Sequence, residues 1–144
     1  MLEGKYECLK LDNQLCFPLY ACSKEVVRKY KPFLDKINLT YTQYIAMMVL
    51  WEHEEISVKR MGEYLYLDSG TLTPLLKTLE KKGFVERKRS SVDERSLNVT
   101  LTKDGEALKE KAFTIPSQIG QCLALNREDA KELYRILHRL MDQM

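Results

Sequence analysis

The chain has 144 residues, 44% of them hydrophobic and 31% charged, with a formal net charge of +2. That length suits one domain with a sizeable core and excludes two ordinary ones, and the composition is that of an ordinary globular protein. No stretch approaches the roughly 18 apolar residues of a membrane span, and the start Met1-Leu2-Glu3-Gly4-Lys5-Tyr6-Glu7 lacks a basic and apolar signal segment, so a cytoplasmic location without membrane contact is expected.

Leu15, Cys16, Leu19, Tyr20, Val26, Val27 and Tyr30 fall at helical spacing and predict a helix over 11–30, ended by Pro32. A second helix is predicted over 41–53, capped by Thr40 or Thr42, and its run from Tyr44 through Trp51 is apolar nearly all round, as in a core helix. Ser57 is the predicted N-cap of a short third helix with Val58, Met61 and Leu65 on one face, stopping near Tyr66 and Leu67. After a tight turn, Leu72, Leu75, Leu76 and Leu79 form the stripe of a fourth helix, and Gly83 supplies its stop. Its N-cap is Ser69 or Thr71. With Thr71, Pro74 falls in the first turn at no cost; with Ser69, one backbone bond is missing.

After Gly83 the pattern changes to a β-hairpin: Phe84 to Arg89, a polar tip, then strict alternation at Leu97, Val99 and Leu101. Two helices close the chain. Thr102 caps one that runs to about residue 115 before Pro116, and Asn126, followed by Glu128 and Asp129, starts the last, striped by Leu133, Ile136, Leu137 and Leu140. The expected fold class is mainly α with a small β-hairpin wing, a winged helix-turn-helix in one domain over 1–144.

That order of elements predicts a DNA reader at 41–101. Residues 57–101 hold nine basic and six acidic side chains, against fourteen and fifteen in the remainder, so the positive excess sits in the middle. With its leucines buried, the fourth helix presents Ser69, Gly70, Thr71, Thr73, Pro74, Lys77, Thr78 and Lys81. Short side chains allow close approach to the major groove, while Lys77 and Lys81 suit phosphates or purine edges. Arg87, Lys88, Arg89 and Arg95 cluster on the hairpin, where a guanidinium can enter a narrow minor groove. Asp93 or Glu94 is expected to hold one of these arginines by a charge-assisted bond.

The segment Leu67-Asp68-Ser69-Gly70-Thr71-Leu72-Thr73-Pro74-Leu75-Leu76-Lys77, with Leu79-Glu80-Lys81-Lys82-Gly83 and Asp93-Glu94-Arg95 before a strand, resembles the MarR family of winged-helix regulators over nearly the whole chain. Within it, Leu11-Asp12-Asn13-Gln14-Leu15-Cys16-Phe17 and the 67–74 run resemble the organic hydroperoxide resistance regulators and their staphylococcal relatives. The resemblance implies a homodimer held by its N- and C-terminal helices (11–31 and 102–144), double-stranded DNA with a palindromic operator as partner, and repression relieved by organic hydroperoxide.

Cysteines in a cytosolic chain are reduced, metal-binding or redox-active more often than structural. Cys8, Cys16, Cys22 and Cys122 show no metal spacing, and His53 and His138 stand alone, so neither metal nor cofactor is expected. Cys16 shares a helix face with Tyr20 one turn on. Tyr30 lies on the same stripe but roughly 21 Å along the axis, so it reaches a Cys16 only across an antiparallel dimer. If Asn13 is the N-cap, Cys16 sits in the first turn, where backbone N–H groups favour the thiolate that reacts with peroxide; an earlier start removes that effect. Cys22 is about 9 Å along and turned about 240° from Cys16, so bridging them would break the helix. Cys122 matches the resolving position of two-cysteine members of the resembled branch. An intersubunit Cys16–Cys122 disulfide is thereby implied, with capping of Cys16 by a small thiol as the alternative.

Other functions fit less well. A thiol peroxidase would show a thioredoxin-like βαβ pattern and an arginine near Cys16 in sequence, so no enzymatic activity is expected. A MarR-type regulator released by a small aromatic effector in the dimer-interface cleft, with Cys16 a bystander, is the main competing expectation.

Overall fold

In the computed structural model, which describes residues 4–144, two short 3-10 turns, Gly4–Leu9 and Leu11–Asn13, precede the first long helix, α1 (Cys16–Asp35). The lead-in is tied by side chains: Asn13 donates to the Glu7 carbonyl at 2.7 Å, and Gln14 to the carbonyls of Cys8 and Lys10 at 2.7 and 2.8 Å. Asn13 is therefore not the N-cap. Leu15 is, and Pro18 falls in the first turn, where its missing N–H costs nothing. Nor does Pro32 end the helix. Its fixed φ is helical and it gives up one backbone bond in the last turns, while continuation to Asp35 buries Leu34 to 1% exposure.

Helix α2 (Tyr41–His53) starts at a capping box in which Thr40, not Thr42, accepts from Gln43 N–H while the Gln43 side chain accepts from Thr40 N–H. It is the central core element, burying Tyr44, Ala46, Met47, Val49 and Leu50. Glu54, at φ 61°, turns the chain into a strand the periodicity did not announce, β1 (Glu55–Ser57). Helix α3 (Val58–Leu65) follows directly, with Ser57 accepting from Arg60 N–H at 3.1 Å, and ends on Tyr66 at φ 54°.

Helix α4 (Ser69–Lys81) is capped by Asp68, which accepts from Thr71 N–H at 2.8 Å; neither Ser69 nor Thr71 is the cap. Pro74 consequently lies inside the helix and leaves the Gly70 carbonyl without its helical donor, while the Thr78 hydroxyl donates to the Pro74 carbonyl at 3.0 Å. The helix stops at Gly83, whose φ of 83° a side chain would strain.

The hairpin is β2 (Val85–Arg89) and β3 (Leu97–Leu101), antiparallel with Val85 opposite Leu101 and Arg89 opposite Leu97. β1 adds to the other edge of β3, with Ile56 opposite Val99, so the sheet order is β1-β3-β2. Val85 and Val99 point into the core with the α4 leucines.

Three helices close the chain where two were expected. α5 (Lys103–Ala112), capped by Thr102, ends before Phe113, and Pro116 sits in the first turn of a separate α6 (Ile115–Cys122). α5 and α6 contribute Leu108, Ala112, Ile115 and Ile119 to the core, and α6 packs on α1. α7 (Arg127–Met141) begins at Asn126 as expected but buries no residue at all; Leu133, Ile136 and Leu140 are 43%, 41% and 50% exposed.

Candidate nucleic-acid interface and thiol site

The helix-turn-helix is α3 and α4 with the bend at 66–68. Leu72, Leu75, Leu76 and Leu79 hold α4 against the core, and Ser69, Gly70, Thr71, Pro74, Lys77, Thr78 and Lys81 are exposed on its other side, with Thr73 half-buried. The expected outward face is thus present as a continuous strip of short groups ending in two lysines.

The wing divides its arginines. Arg89 and Arg95 are exposed, Arg89 donating to the Glu94 carbonyl at 3.0 Å. Arg87 departs from its expected place among them. Its guanidinium donates to Glu80 Oε1 at 3.1 Å and its backbone N–H to Glu80 Oε2 at 3.0 Å, with its side chain 19% exposed. These bonds hold the Glu80 carboxyl below the usual carboxylate range. Arg87 therefore fastens the first wing strand to α4 instead of reaching outward.

Asp93 is also reassigned. It accepts from the Arg95 backbone N–H at 3.0 Å and from the Ser96 hydroxyl at 3.3 Å, shaping the tip from which the Arg95 side chain projects. It holds the arginine's backbone and not its guanidinium, because a short aspartate two residues earlier closes an Asx-type turn.

Cys16 is the first residue of α1 and exposed, beside exposed Leu15, Phe17, Leu19 and Tyr20. The free N–H groups of a helix start surround this position. Tyr20 is one turn along, with the Lys24 ammonium 5.0 Å from its ring centroid. Cys122 ends α6 and is exposed, as is Cys22.

Tyr30 is not isolated on its stripe. Its ring centroid lies 5.0 Å from that of Tyr41 and 5.8 Å from that of Tyr44, so three phenols cluster where α1 meets the start of α2. Burial, with the neighbouring phenols of Tyr41 and Tyr44, pushes Tyr30 up to about 12, and burial raises Tyr41 and Tyr44 as well. All three remain neutral donors at physiological pH. Tyr41 and Tyr44 carried no role in the sequence reading; the available signal was two tyrosines three residues apart behind a helix cap.

No group of three or more His, Cys, Asp or Glu among the described residues is placed to hold a metal ion. No helix there is long and apolar enough to cross a membrane.

The family model of the SarA/Rot transcriptional regulators matches residues 28–112. The chain is 53% identical over 143 residues to the organic hydroperoxide resistance transcriptional regulator of Bacillus subtilis (strain 168), covering 99% of this chain and 97% of that protein. It is also similar to AbfR of Staphylococcus epidermidis: to the reduced, DNA-bound form with a TM-score of 0.79 at 35% identity over 98% of both chains. The disulfide form of AbfR gives a TM-score of 0.67 at 36% identity, covering 98% of this chain and 99% of that one. A three-stranded sheet with a hairpin wing behind an exposed Ser/Thr/Lys helix, a cysteine opening the first helix, and these similarities lead to one conclusion: the chain belongs to the SarA/Rot family of transcriptional regulators, winged-helix proteins of the MarR type.

Proposed function

We propose that this regulator is a cytoplasmic, homodimeric repressor that binds a palindromic operator through α4 and the wing, and releases it when an organic hydroperoxide oxidises Cys16. The observation that carries the reading is the placement of Cys16: exposed at the first residue of a helix and flanked by apolar side chains. A helix start favours a thiolate, and an apolar surround favours an alkyl hydroperoxide over H₂O₂. Ser69, Thr71, Thr73, Pro74, Lys77, Lys81, Arg89 and Arg95 are the proposed DNA contacts, with Arg87 and Asp93 supporting the wing.

The Cys16 thiolate attacks one peroxide oxygen, the O–O bond breaks, and the alkoxide leaves to take up a proton as the alcohol, leaving Cys16 as a sulfenic acid. The thiol of the partner subunit's Cys122 then attacks that sulfur; the S–S bond forms and water leaves. Tyr20 of the same chain, with Tyr30 from the other, supplies phenol donors to the thiolate. The apolar stripes left open on α1 and α7 support a dimer joined by the N- and C-terminal helices.

The test compares wild type, Cys16→Ser and Cys122→Ser, each treated with cumene hydroperoxide, for binding to an operator fragment selected from random-sequence DNA and for mobility on non-reducing gels. Wild type is expected to release DNA and run as a crosslinked dimer. Release by Cys16→Ser would sink the sensing role; release without a crosslink would remove only Cys122.

A second reading rests on a cleft of about 680 Å³ between α1 and the start of α2, lined by Val27, Leu34, Leu39 and Tyr41 with Arg28 and Lys31. Its apolar wall suits an aromatic ring, and an acid group on that ring would take Lys31 from its ion pair with Asp35 at 2.9 Å; such binding would release DNA without oxidant and equally from Cys16→Ser.

A further inference from the structure

Lys82 differs from the lysines before it on α4. Lys77 and Lys81 are exposed, whereas the Lys82 ammonium turns back into the corner between α1 and α2. There it donates to the Asn38 carbonyl at 2.7 Å and to Gln43 Oε1 at 2.9 Å. Burial pushes this ammonium below the usual lysine range.

Both acceptors are fixed. Asn38 is held at φ 57° in the turn leaving α1. Gln43, 7% exposed, is the one buried polar side chain among the described residues, and its Oε1 also accepts from Thr40 N–H at 3.1 Å. Lys82 thereby adds a second donor to the Gln43 oxygen of the α2 capping box. The same first turn of α2 carries Tyr41 and Tyr44, which pack on Tyr30. At its other end Lys82 is the C-cap of α4, its backbone N–H donating to the carbonyls of Thr78 and Glu80. One residue therefore joins the end of the recognition helix to the turn that holds the phenol cluster.

We propose that Lys82 is a positioning residue that couples the two: a displacement of the first turn of α2 passes through Gln43 and Asn38 into the C-terminal end of α4. The inference rests on the reading of the chain as a thiol-switched regulator, in which the phenols meet the reacting cysteine. A lysine suits the task because three donors on one small cation engage two acceptors at once, and a partly buried ammonium cannot leave them without cost.

Coupling is reciprocal, so DNA bound to α4 must be felt at α2 even without oxidant. Lys82→Met keeps the stem and removes the donors; Lys82→Arg keeps donors. Amide hydrogen exchange over residues 39–47 is measured with and without operator DNA, together with operator affinity before and after cumene hydroperoxide and the mass of Cys16. In wild type DNA is expected to slow exchange about tenfold; in Lys82→Met by less than about twofold, with Lys82→Arg restoring most of the effect. Reduced Lys82→Met is expected to bind DNA within about threefold of wild type, and to oxidise at Cys16 in full yet lose about tenfold less affinity on oxidation. Full DNA-induced protection, or full release on oxidation, in Lys82→Met overturns the proposal. Wild type that keeps its DNA after Cys16 oxidises overturns the thiol-switch reading instead, and the exchange comparison still decides on Lys82. If Lys82→Met does not fold, Lys82→Leu, which also lacks donors, takes its place with the same outcomes.

Discussion

Gly62 sits on α3 where the helix-turn-helix closes, and an added methyl there has little room. A Cβ at Gly62 would lie 2.6 Å from the Leu67 carbonyl oxygen and 3.2 Å from Leu72 Cδ1. Carbon–oxygen contacts are comfortable from about 3.3 Å, so the overlap is roughly 0.7 Å. The leucine methyl can yield; the Leu67 carbonyl cannot do so alone, because the next residue is the Asp68 cap and the Leu67 N–H donates to the Gly62 carbonyl at 3.0 Å. Overpacking of this kind costs about 1–3 kcal/mol, and alanine's better helix propensity returns about 1 kcal/mol, leaving Gly62→Ala less stable by up to about 2 kcal/mol. Relief requires α4 to shift from α3 at the end that carries Ser69 and Thr71, so operator affinity is expected to fall about tenfold, the equivalent of one base contact. Urea unfolding at fixed protein concentration reports the first quantity through Trp51, the single tryptophan, whose indole donates to the Gly105 carbonyl at 2.9 Å. Fluorescence anisotropy with labelled operator reports the second. A Gly62→Ala protein as stable as wild type that binds DNA equally well would refute the close packing of α3 on the turn.

Three other outcomes are expected. Lys77→Ala should lower the slope of log affinity against log salt by about one, uniformly across operator sequences, as for a lost phosphate contact; an altered base preference with an unchanged slope would place Lys77 on a base edge. Thr102→Ala removes both the bond to Gly105 N–H at 3.0 Å and the hydroxyl's bond to the Gly83 carbonyl at 2.6 Å; its cost in urea unfolding should lie at the upper end for an N-cap, about 2 kcal/mol. Tyr30 has its folded pKa raised from 10.0 to about 12; the neutral phenol's stabilisation is therefore complete below about pH 10 and is lost as pH rises through about 12. Tyr30→Phe should flatten the fall in stability over that window, and an unchanged profile would mean that the phenol is solvated.

Local chemistry was readable from residues alone wherever a few neighbours decide the outcome. Ser57, Thr102 and Asn126 cap the helices they were assigned, Gly83 stops α4, and the leucine stripe from Leu72 to Leu79 is buried. Misreadings arose where distant partners decide. β1 has three residues and exists only because β3 offers it an edge, so no periodicity could announce it. Pro32 reads as a stop, yet the burial of Leu34 and Phe33 carries α1 past it. Pro116 reads as an end but opens α6, since proline is compatible with a first turn. At the candidate site, composition marked Arg87 as one of a basic cluster, and only the fold brings Glu80 to it across the bend between α4 and β2. The tie from Lys82 to Asn38 and Gln43, 44 and 39 residues away, is invisible for the same reason.

In the proposed dimer, the bare flank of α7 would make the regulator's integrity a question of how much of it is present. A 15-residue helix with no buried side chain gains little from its own backbone in water, so in the proposed dimer its order would come from a second chain laid against Leu133, Ile136 and Leu140. Folding of that region and association would then be one equilibrium, governed by mass action: each tenfold rise in protein concentration would add about 1.4 kcal/mol to the assembled form. An operator bound only by that proposed dimer would add its own contribution, so that a scarce regulator would be held together in part by the DNA it controls.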